Sequence, residues 1–506
     1  MHISDQTWKD MNMDQVLARI NTCASLTGEE MLGELLREPL RLDRTLQEPF
    51  DYDTDTELKR RDGLIRYFDS HEEISKAYRE RLSEIGRDIK KPLRSTVGEL
   101  AALEIKSSLP HILCAVFGCF AISMIFISPS IGLLIFLVSL VINIPVYFKR
   151  KSETGEYIAC FSHIIKAYHA SSLMLRVKDD EEKEYRKELK TAVKLLAPVV
   201  RGSFLLTAGR GLTGGLVNMI LDYLRIYFHI DLIKFNSMQK KVVEHRQEIE
   251  RMFSVLGEID AFIAVAAYRR SLPFWCVPEF SDEAQISFRA KRLYHPLLQK
   301  PVSSDIEASV KGVLITGSNA SGKSTFLRSA ALASILGQSI ATVCAESFSG
   351  ARFYVVSSMA VTDDIMSGSS YYMSEIRALK QVIDICEKDV PVLCFVDEVL
   401  KGTNTIERIA ASSEILKSLA KENVICFAAT HDIELTSMLR QSYDNYHFEE
   451  EITDDEVIFP YELKRGETKS RNAIRLLSIM GYDASITESA ERRARIFEET
   501  GEWKSP

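Results

Sequence analysis

Nine cysteines among 506 residues form no CxxC pair and share no metal-ligand spacing with histidine. That excludes a disulfide framework and a structural zinc site, and reads as reduced thiols in a cytosolic compartment. Proline (14) and glycine (24) are too sparse for long flexible linkers or fibrous repeats. A surplus of positive charge is also missing: 63 Lys and Arg stand against 71 Asp and Glu, a net charge of −8. A surface that binds polyanions everywhere is therefore excluded, and any nucleic-acid contact must be a local groove. What remains, 46% hydrophobic and 26% charged, is the composition of a globular chain long enough for two or more domains.

One stretch lacks charge altogether. Residues 107–148 contain no Asp, Glu, Lys or Arg, and they lie between Lys106 and the triplet Lys149-Arg150-Lys151. Ser128-Pro129-Ser130 predicts a turn in the middle. The halves, 111–127 and 131–148, span roughly 25–27 Å each as helices, slightly short of a ~30 Å hydrocarbon core. Thirteen Leu, Ile, Val or Phe in the second half and nine in the first favour insertion, the second helping the first. Basic residues at both outer ends predict a transmembrane hairpin with its tip at Pro129. The lipid bilayer is then a partner through residues 107–148, and the N-terminus and the rest of the chain lie on the cytoplasmic side of the cell (inner) membrane. The competing reading is a buried helical hairpin in a soluble core. A hundred polar residues precede the run, so it is not a cleavable signal peptide.

The flanking regions are helix-patterned: 11–24, 27–36 and 55–85 before the apolar run, then 153–200 with a break near 177–180. Gly209 to Gly215 marks a further break, and a long helix is expected from 217 to 270. Ile249, Phe253, Leu256, Ile259 and Ile263 form one apolar stripe on it, and Pro273 and Pro278 end it. Asp222, Arg225 and Asp231 exclude a third membrane helix near its start.

From about residue 285 short β-rich runs alternate with helices, an α/β pattern. Strand 313–316 leads directly into Gly317-Ser318-Asn319-Ala320-Ser321-Gly322-Lys323-Ser324, followed by a helical run from Thr325. This fits GxxxxGK[ST], a phosphate-binding P-loop (Walker A). Glycines let backbone N–H groups wrap phosphates, Lys323 reaches the β/γ oxygens, and the Ser324 hydroxyl can hold Mg²⁺. A second apolar strand, 392–396, ends in Asp397-Glu398, suited to orienting the Mg²⁺ shell and polarising water respectively. A third, 424–429, ends in Thr430-His431, a histidine at the edge where a parallel sheet carries its active residues.

These residues carry a resemblance. Gly317–Arg328, the segment Asp363-Asp364-Ile365-Met366-Ser367-Gly368-Ser369-Ser370, the run Asp397-Glu398-Val399-Leu400-Lys401-Gly402-Thr403, and Ala429-Thr430-His431 follow the order and approximate spacing of the MutS family ATPase domain. The family's corresponding patterns are GPNMGGKST, DDLASGRST, DEIGRGT and ATH. Leu293-Tyr294-His295-Pro296 resembles the family's lead-in, and 459–473 its closing segment. The end of its lever helix resembles 256–267, and the start of its helical core 13–40.

The resemblance implies ATP and Mg²⁺ as cofactors, ATP hydrolysis to ADP and phosphate coupled to conformational switching, and nucleotide contacts from Gly317 through Thr325, with Asn319 near the γ-phosphate. It implies a metal role for Ser324 and Asp397, and catalytic roles for Lys323, Glu398 and His431. Ser370 matches the serine that the opposite subunit delivers in trans, so a homodimer is the expected active form. Ser369, Leu400 and Lys401 depart from the family's Arg, Gly and Arg.

The expected architecture is an α-helical core/lever region with an inserted transmembrane hairpin, followed by an α/β P-loop (ABC-type) ATPase domain. Its boundaries are 1–106 helical core, 107–148 hairpin, 149–284 core and lever, 285–480 ATPase domain and 481–506 C-terminal helix. Because the core-like region begins almost at Met1, the family's N-terminal mismatch-recognition domain is not expected. The triplets Phe448-Glu449-Glu450 and Phe497-Glu498-Glu499 read as solvated acids. Non-specific duplex DNA is admitted as a partner, with Lys240, Lys241, Arg246 and the stretch 186–194 as candidate phosphate contacts, though such runs also read as solvated helix faces. The favoured function is a membrane-anchored MutS-like ATPase engaging DNA. The alternatives are an ATP-switched membrane scaffold without DNA and an ABC-type transporter subunit. The last is disfavoured by the absence of LSGGQ and by two membrane helices per protomer.

Overall fold

The computed structural model describes residues 2–39, 54–87, 93–179, 183–201, 223–281, 285–318, 320–359, 371–401, 403–452, 457–467, 473–501 and 503. The chain divides into two compact units. One comprises Asn21–Gly33 and Ile65–Ala266; the other comprises Met1–Ile20, Glu34–Leu64 and Ala267–Pro506.

The first unit is helical. The apolar run forms the helices Leu109–Ile127 and Pro129–Met174, with Ser128 alone between them in an extended conformation and Pro129 at the first position of the second helix. Close approach at the turn demands glycine at 132, where a Cβ would sit 2.4 Å from the Ile125 nitrogen. Only 17% and 22% of the two apolar stretches are buried, which is not the packing of core helices. The second helix does not stop at Phe148. It continues through Lys149, Arg150 and Lys151 to Met174, because lysine and arginine propagate a helix and no stop signal intervenes.

The base of the hairpin is tied by polar groups. Asn143 donates to the carbonyls of Cys114 (3.2 Å) and Tyr227 (3.1 Å), and the Ser139 and Tyr227 hydroxyls lie 2.6 Å apart. Tyr147 and Lys151 both donate to Asp231, at 2.9 and 2.6 Å. The expected long helix is interrupted within its described part. His229 takes a left-handed φ of 55° with one ring nitrogen on His111 (2.9 Å) and the other on the Asn143 carbonyl (3.0 Å). Helices Ile230–Glu244 and Arg246–Ser271 follow, separated at His245. All five residues of the predicted stripe are buried.

The second unit is mixed α/β. Its strands are β1 (Glu279–Phe280), β2 (Phe288–Leu293), β3 (Ser304–Ala308), β4 (Gly312–Thr316), β5 (Ser347–Gly350), β6 (Tyr354–Ser358), β7 (Val392–Asp397), β8 (Val424–Thr430), β9 (Tyr443–Phe448), β10 (Glu451–Ile452), β11 (Val457–Ile458) and β12 (Leu463–Arg465). The main sheet is open and six-stranded, in the order β12-β9-β4-β8-β7-β6, parallel except for β12. Strands β4 and β8 are buried along their whole length, as covered parallel strands must be, which is why they read as unbroken apolar runs. A four-stranded sheet, β1-β5-β2-β3, and the β10–β11 pair complete the unit.

The first helices of the chain belong to this unit. Asp10 accepts from the Ser357 hydroxyl (2.7 Å) and the Met359 N–H (3.1 Å) just beyond β6, and its carbonyl accepts from Arg328 (2.8 Å). All nine cysteines are free.

Candidate functional site

Register brings the three predicted strand ends together. Thr316 of β4 lies opposite Thr430 of β8, and Asp397 of β7 lies opposite Ala429. The glycine loop, the acidic pair and His431 therefore leave the sheet at one edge, the end where open α/β sheets hold ligands.

The glycine loop turns sharply, three of its described residues having positive φ: Gly317 (147°), Ala320 (67°) and Gly322 (109°). A side chain at 317 would meet the Phe448 carbonyl at 2.8 Å, so only glycine fits. The helix Lys323–Ile340 starts directly after Gly322, so its free N–H groups and positive dipole end face the loop. The Lys323 ammonium is folded back onto the loop, donating to the carbonyls of Gly317 (2.7 Å) and Ser318 (2.8 Å). Burial lowers its pKa, while Glu398 and Asp397 oppose that.

The Ser324 hydroxyl donates to Asp397 Oδ2 at 2.5 Å. The other oxygen, Oδ1, is buried and has no hydrogen-bond partner among the described residues. Burial pushes this carboxyl up, against the Ser324 bond. A hydroxyl and an orphaned carboxylate oxygen side by side are the hard donors that Mg²⁺ prefers, so these residues fit the ion.

Glu398 carries a left-handed φ of 55° and is held on three sides. Its N–H donates to the Ala429 carbonyl (2.9 Å), Lys401 Nζ lies 2.8 Å from Oε2, and His431 Nδ1 lies 3.5 Å from Oε1. His431 foremost, and Lys401 with it, take its carboxyl down to about 2 against the opposing effect of burial, and Glu398 in turn raises the histidine. Arg408 grips the adjacent Asp432 with two bonds, 3.0 and 2.6 Å, which steadies the turn after β8. Asn319 and Ser370, like Ser369 and Gly402, lie outside the described residues.

A cleft of about 460 Å³ opens over the loop. Ser318 and the run 320–325 form its floor with Glu398, while His295, Leu298, Lys300, Val302, Phe448 and Tyr461 stand around it. Sequence reasoning placed His295 and Tyr461 in the lead-in and closing segments without giving either a role, and it missed the rest of the wall, which comes from the connection between β2 and β3 and from the end of β9, neither with a motif. The triplet 448–450 does not behave as solvated acids. Phe448 is buried in the cleft wall, Glu449 pairs with His447 (3.0 Å) and Lys464 (3.2 Å), and Glu450 accepts from the Ser318 hydroxyl (3.0 Å).

Several candidate phosphate contacts are already engaged. Arg186 binds the Tyr78 hydroxyl (2.7 Å) and the carbonyls of Leu175 and Val177, Lys241 donates to the Pro198 carbonyl (2.6 Å), and Arg246 pairs with Glu250 (2.7 Å). Lys187, Lys190, Lys194 and Lys240 are exposed.

Comparison with known proteins agrees with the site. Residues 313–498 match MutS domain V. The DNA mismatch repair protein MutS of Natronomonas pharaonis is 29% identical over 268 residues, covering 51% of this chain and 31% of that protein. Its Thermus thermophilus counterpart is 26% identical over 262 residues, with the same shares. MutS protein homolog 4 of Mus musculus is 28% identical over 268 residues, covering 50% of this chain and 27% of its own. The chain thus spans about a third of the length of these relatives. With the glycine loop, the acidic pair and the histidine on one sheet edge inside the matched segment, residues 313–498 are similar to MutS domain V, and half of the chain resembles proteins of the MutS family.

Proposed function

We propose that this chain is a membrane-anchored ATPase of the MutS type, in which an ABC-type P-loop domain binds and hydrolyses ATP within a homodimer and engages duplex DNA. The observation that carries the reading is the meeting of Ser324, Asp397 and Glu398 beside the glycine loop, with one Asp397 oxygen left without a partner among the described residues.

In this reading the N–H groups at the start of helix Lys323–Ile340 cradle the phosphates, and Lys323 exchanges its two loop carbonyls for phosphate oxygens. Ser324 and Asp397 would hold Mg²⁺, which screens the charge of the triphosphate when bound. Glu398 orients the attacking water. A carboxyl near 2 is a weak base, so in the resting arrangement it positions water rather than removing its proton. Water forms the new bond to the γ-phosphorus as the bond to the ADP oxygen breaks. The cleft wall of Phe448 and Tyr461 suits a flat base. Ser370 of the opposite subunit completes the site, so hydrolysis requires the dimer.

The two exposed apolar helices support the anchor, with Lys106 and Lys149–Lys151 on the cytoplasmic side of the cell membrane. The relatives' names attach DNA mismatch repair to the family, and exposed Lys187, Lys190, Lys194 and Lys240 are the cations available for phosphates. The same hairpin favours a second reading, an ATP-switched scaffold acting on protein or lipid partners.

ATPase activity of the full chain in lipid nanodiscs, with homoduplex or mismatched DNA at two salt concentrations, decides between them. Stimulation by duplex that weakens with salt is expected. Hydrolysis indifferent to DNA would favour the scaffold, and absence of hydrolysis would defeat both.

A further inference from the structure

Glu375 is a buried carboxyl that the nucleotide chemistry above does not use. It lies on the helix Tyr371–Cys386 with 5% of its surface exposed, and burial pushes its carboxyl up against the opposing N–H groups of Lys401 and Leu400. Its Oε1 accepts from the Lys401 N–H at 3.2 Å, while Oε2 has no partner among the described residues. With Asp397, Glu398 and Val399 it lines a narrow void behind the acidic pair.

What it holds is strained. Two of the four residues from Glu398 to Lys401 sit at left-handed φ, Glu398 at 55° and Leu400 at 56°. Side chains with a Cβ occupy that region only when the surroundings over-determine it. At the front of the loop the Glu398 N–H is tied to the Ala429 carbonyl (2.9 Å), and in the middle the Val399 carbonyl accepts from the Ser412 hydroxyl (3.3 Å). At the far end, the Glu375 carboxyl is what receives the Lys401 N–H.

We infer that Glu375 is a positioning residue for hydrolysis: its hold on the Lys401 N–H keeps the left-handed loop closed, so that Glu398 faces the glycine loop. The inference rests on the ATPase reading and deepens it. Loss of the hold leaves the glycine loop, Lys323 and the cleft wall untouched, so nucleotide affinity stays while turnover falls. A side chain that merely filled space would not distinguish acceptors from non-acceptors of equal size.

The test compares Glu375→Met with Glu375→Gln in the full chain in nanodiscs, measuring fluorescent ATP-analogue binding, kcat and thermal unfolding. The glutamine carbonyl still accepts the N–H, whereas methionine fills the same volume without an acceptor. Expected is at least a ten-fold lower kcat for Glu375→Met with Kd within two-fold of the parent, and a kcat within about three-fold of the parent for Glu375→Gln. Equal kcat in both variants, or a loss of affinity matching the loss of kcat, would overturn the assignment. Should Glu375→Met fail to fold, Lys401→Pro removes the donor from the other side. It is expected to turn over at least ten-fold more slowly than Lys401→Ala, and equality would overturn the assignment as well. Glu398→Gln serves as the control: if it hydrolyses at the parent rate, the role of Glu398 fails and this role falls with it, whereas a parent chain that hydrolyses no ATP defeats the ATPase reading itself.

Discussion

Glu398 shows how one residue reads differently in sequence and in structure. Its place after Asp397 at the end of an apolar strand was legible from pattern alone, because a buried strand cannot tolerate two acids until it reaches the sheet edge. Its left-handed backbone and its contact with Lys401 were not, since both depend on the chain turning back on itself. Leu400 adds to this. It stands where the family pattern has glycine and adopts φ 56°, a conformation that costs a side chain about 1–2 kcal/mol and is retained because Leu400 is buried. If Glu398 orients the water, Glu398→Gln should leave ATP binding intact and lower kcat by about 100-fold or more. Phosphate release at saturating ATP, beside nucleotide affinity, reads this out, and parent-like turnover would remove the role.

Among elements, the hairpin was the most legible. A charge-free run with Ser-Pro-Ser at its centre produces two helices meeting at Ser128 because proline is well suited to the first turn of a helix, where its missing N–H costs nothing. Where helices stop was less legible. The second helix runs to Met174, and the stretch 55–85 breaks at His71, neighbouring Ser70, whose hydroxyl turns back to the Arg66 carbonyl. The helix Leu26–Arg37 depends on a remote group: Asp260, buried on Arg246–Ser271, accepts from the Ala24 (2.9 Å) and Ser25 (2.8 Å) N–H groups and the Ser25 hydroxyl (2.6 Å). Gly28 leaves room for that carboxylate, since a Cβ there would lie 2.3 Å from Asp260 Oδ2. Gly28→Ala should therefore displace Asp260 and leave buried donors unpaired, lowering the unfolding temperature by roughly 4–10 °C. An unchanged transition in differential scanning calorimetry would show that the contact carries no weight.

At the scale of the whole molecule, the proposed in-trans arrangement would leave the site incomplete in one protomer. The helix Tyr371–Cys386 begins one residue after Ser370, and Glu375 on that helix holds the loop bearing Glu398. A serine delivered to a partner's nucleotide would thus sit on the element that steadies its own protomer's acidic pair. Mixing Ser370→Arg protomers with Lys323→Ala protomers should restore one working site per mixed dimer, while each variant alone stays inactive. Full activity of either variant by itself, in steady-state ATPase assays, would eliminate the in-trans arrangement.

Local pattern by itself determined the glycine loop, the acidic strand end, Thr430-His431 and the apolar hairpin, because each is a short run whose chemistry depends on neighbours along the chain. Only tertiary structure decided what those runs meet. The register of β4, β7 and β8 brings three strand ends to one edge, although their residues are separated by up to 115 positions along the chain, counted from Thr316 to His431. The cleft wall, the Ser318–Glu450 bond and the bond from the Lys401 N–H to the buried Glu375 involve single residues from distant elements. Such pairs have no periodicity or spacing to betray them, since they exist only once the sheet has fixed which loops face one another.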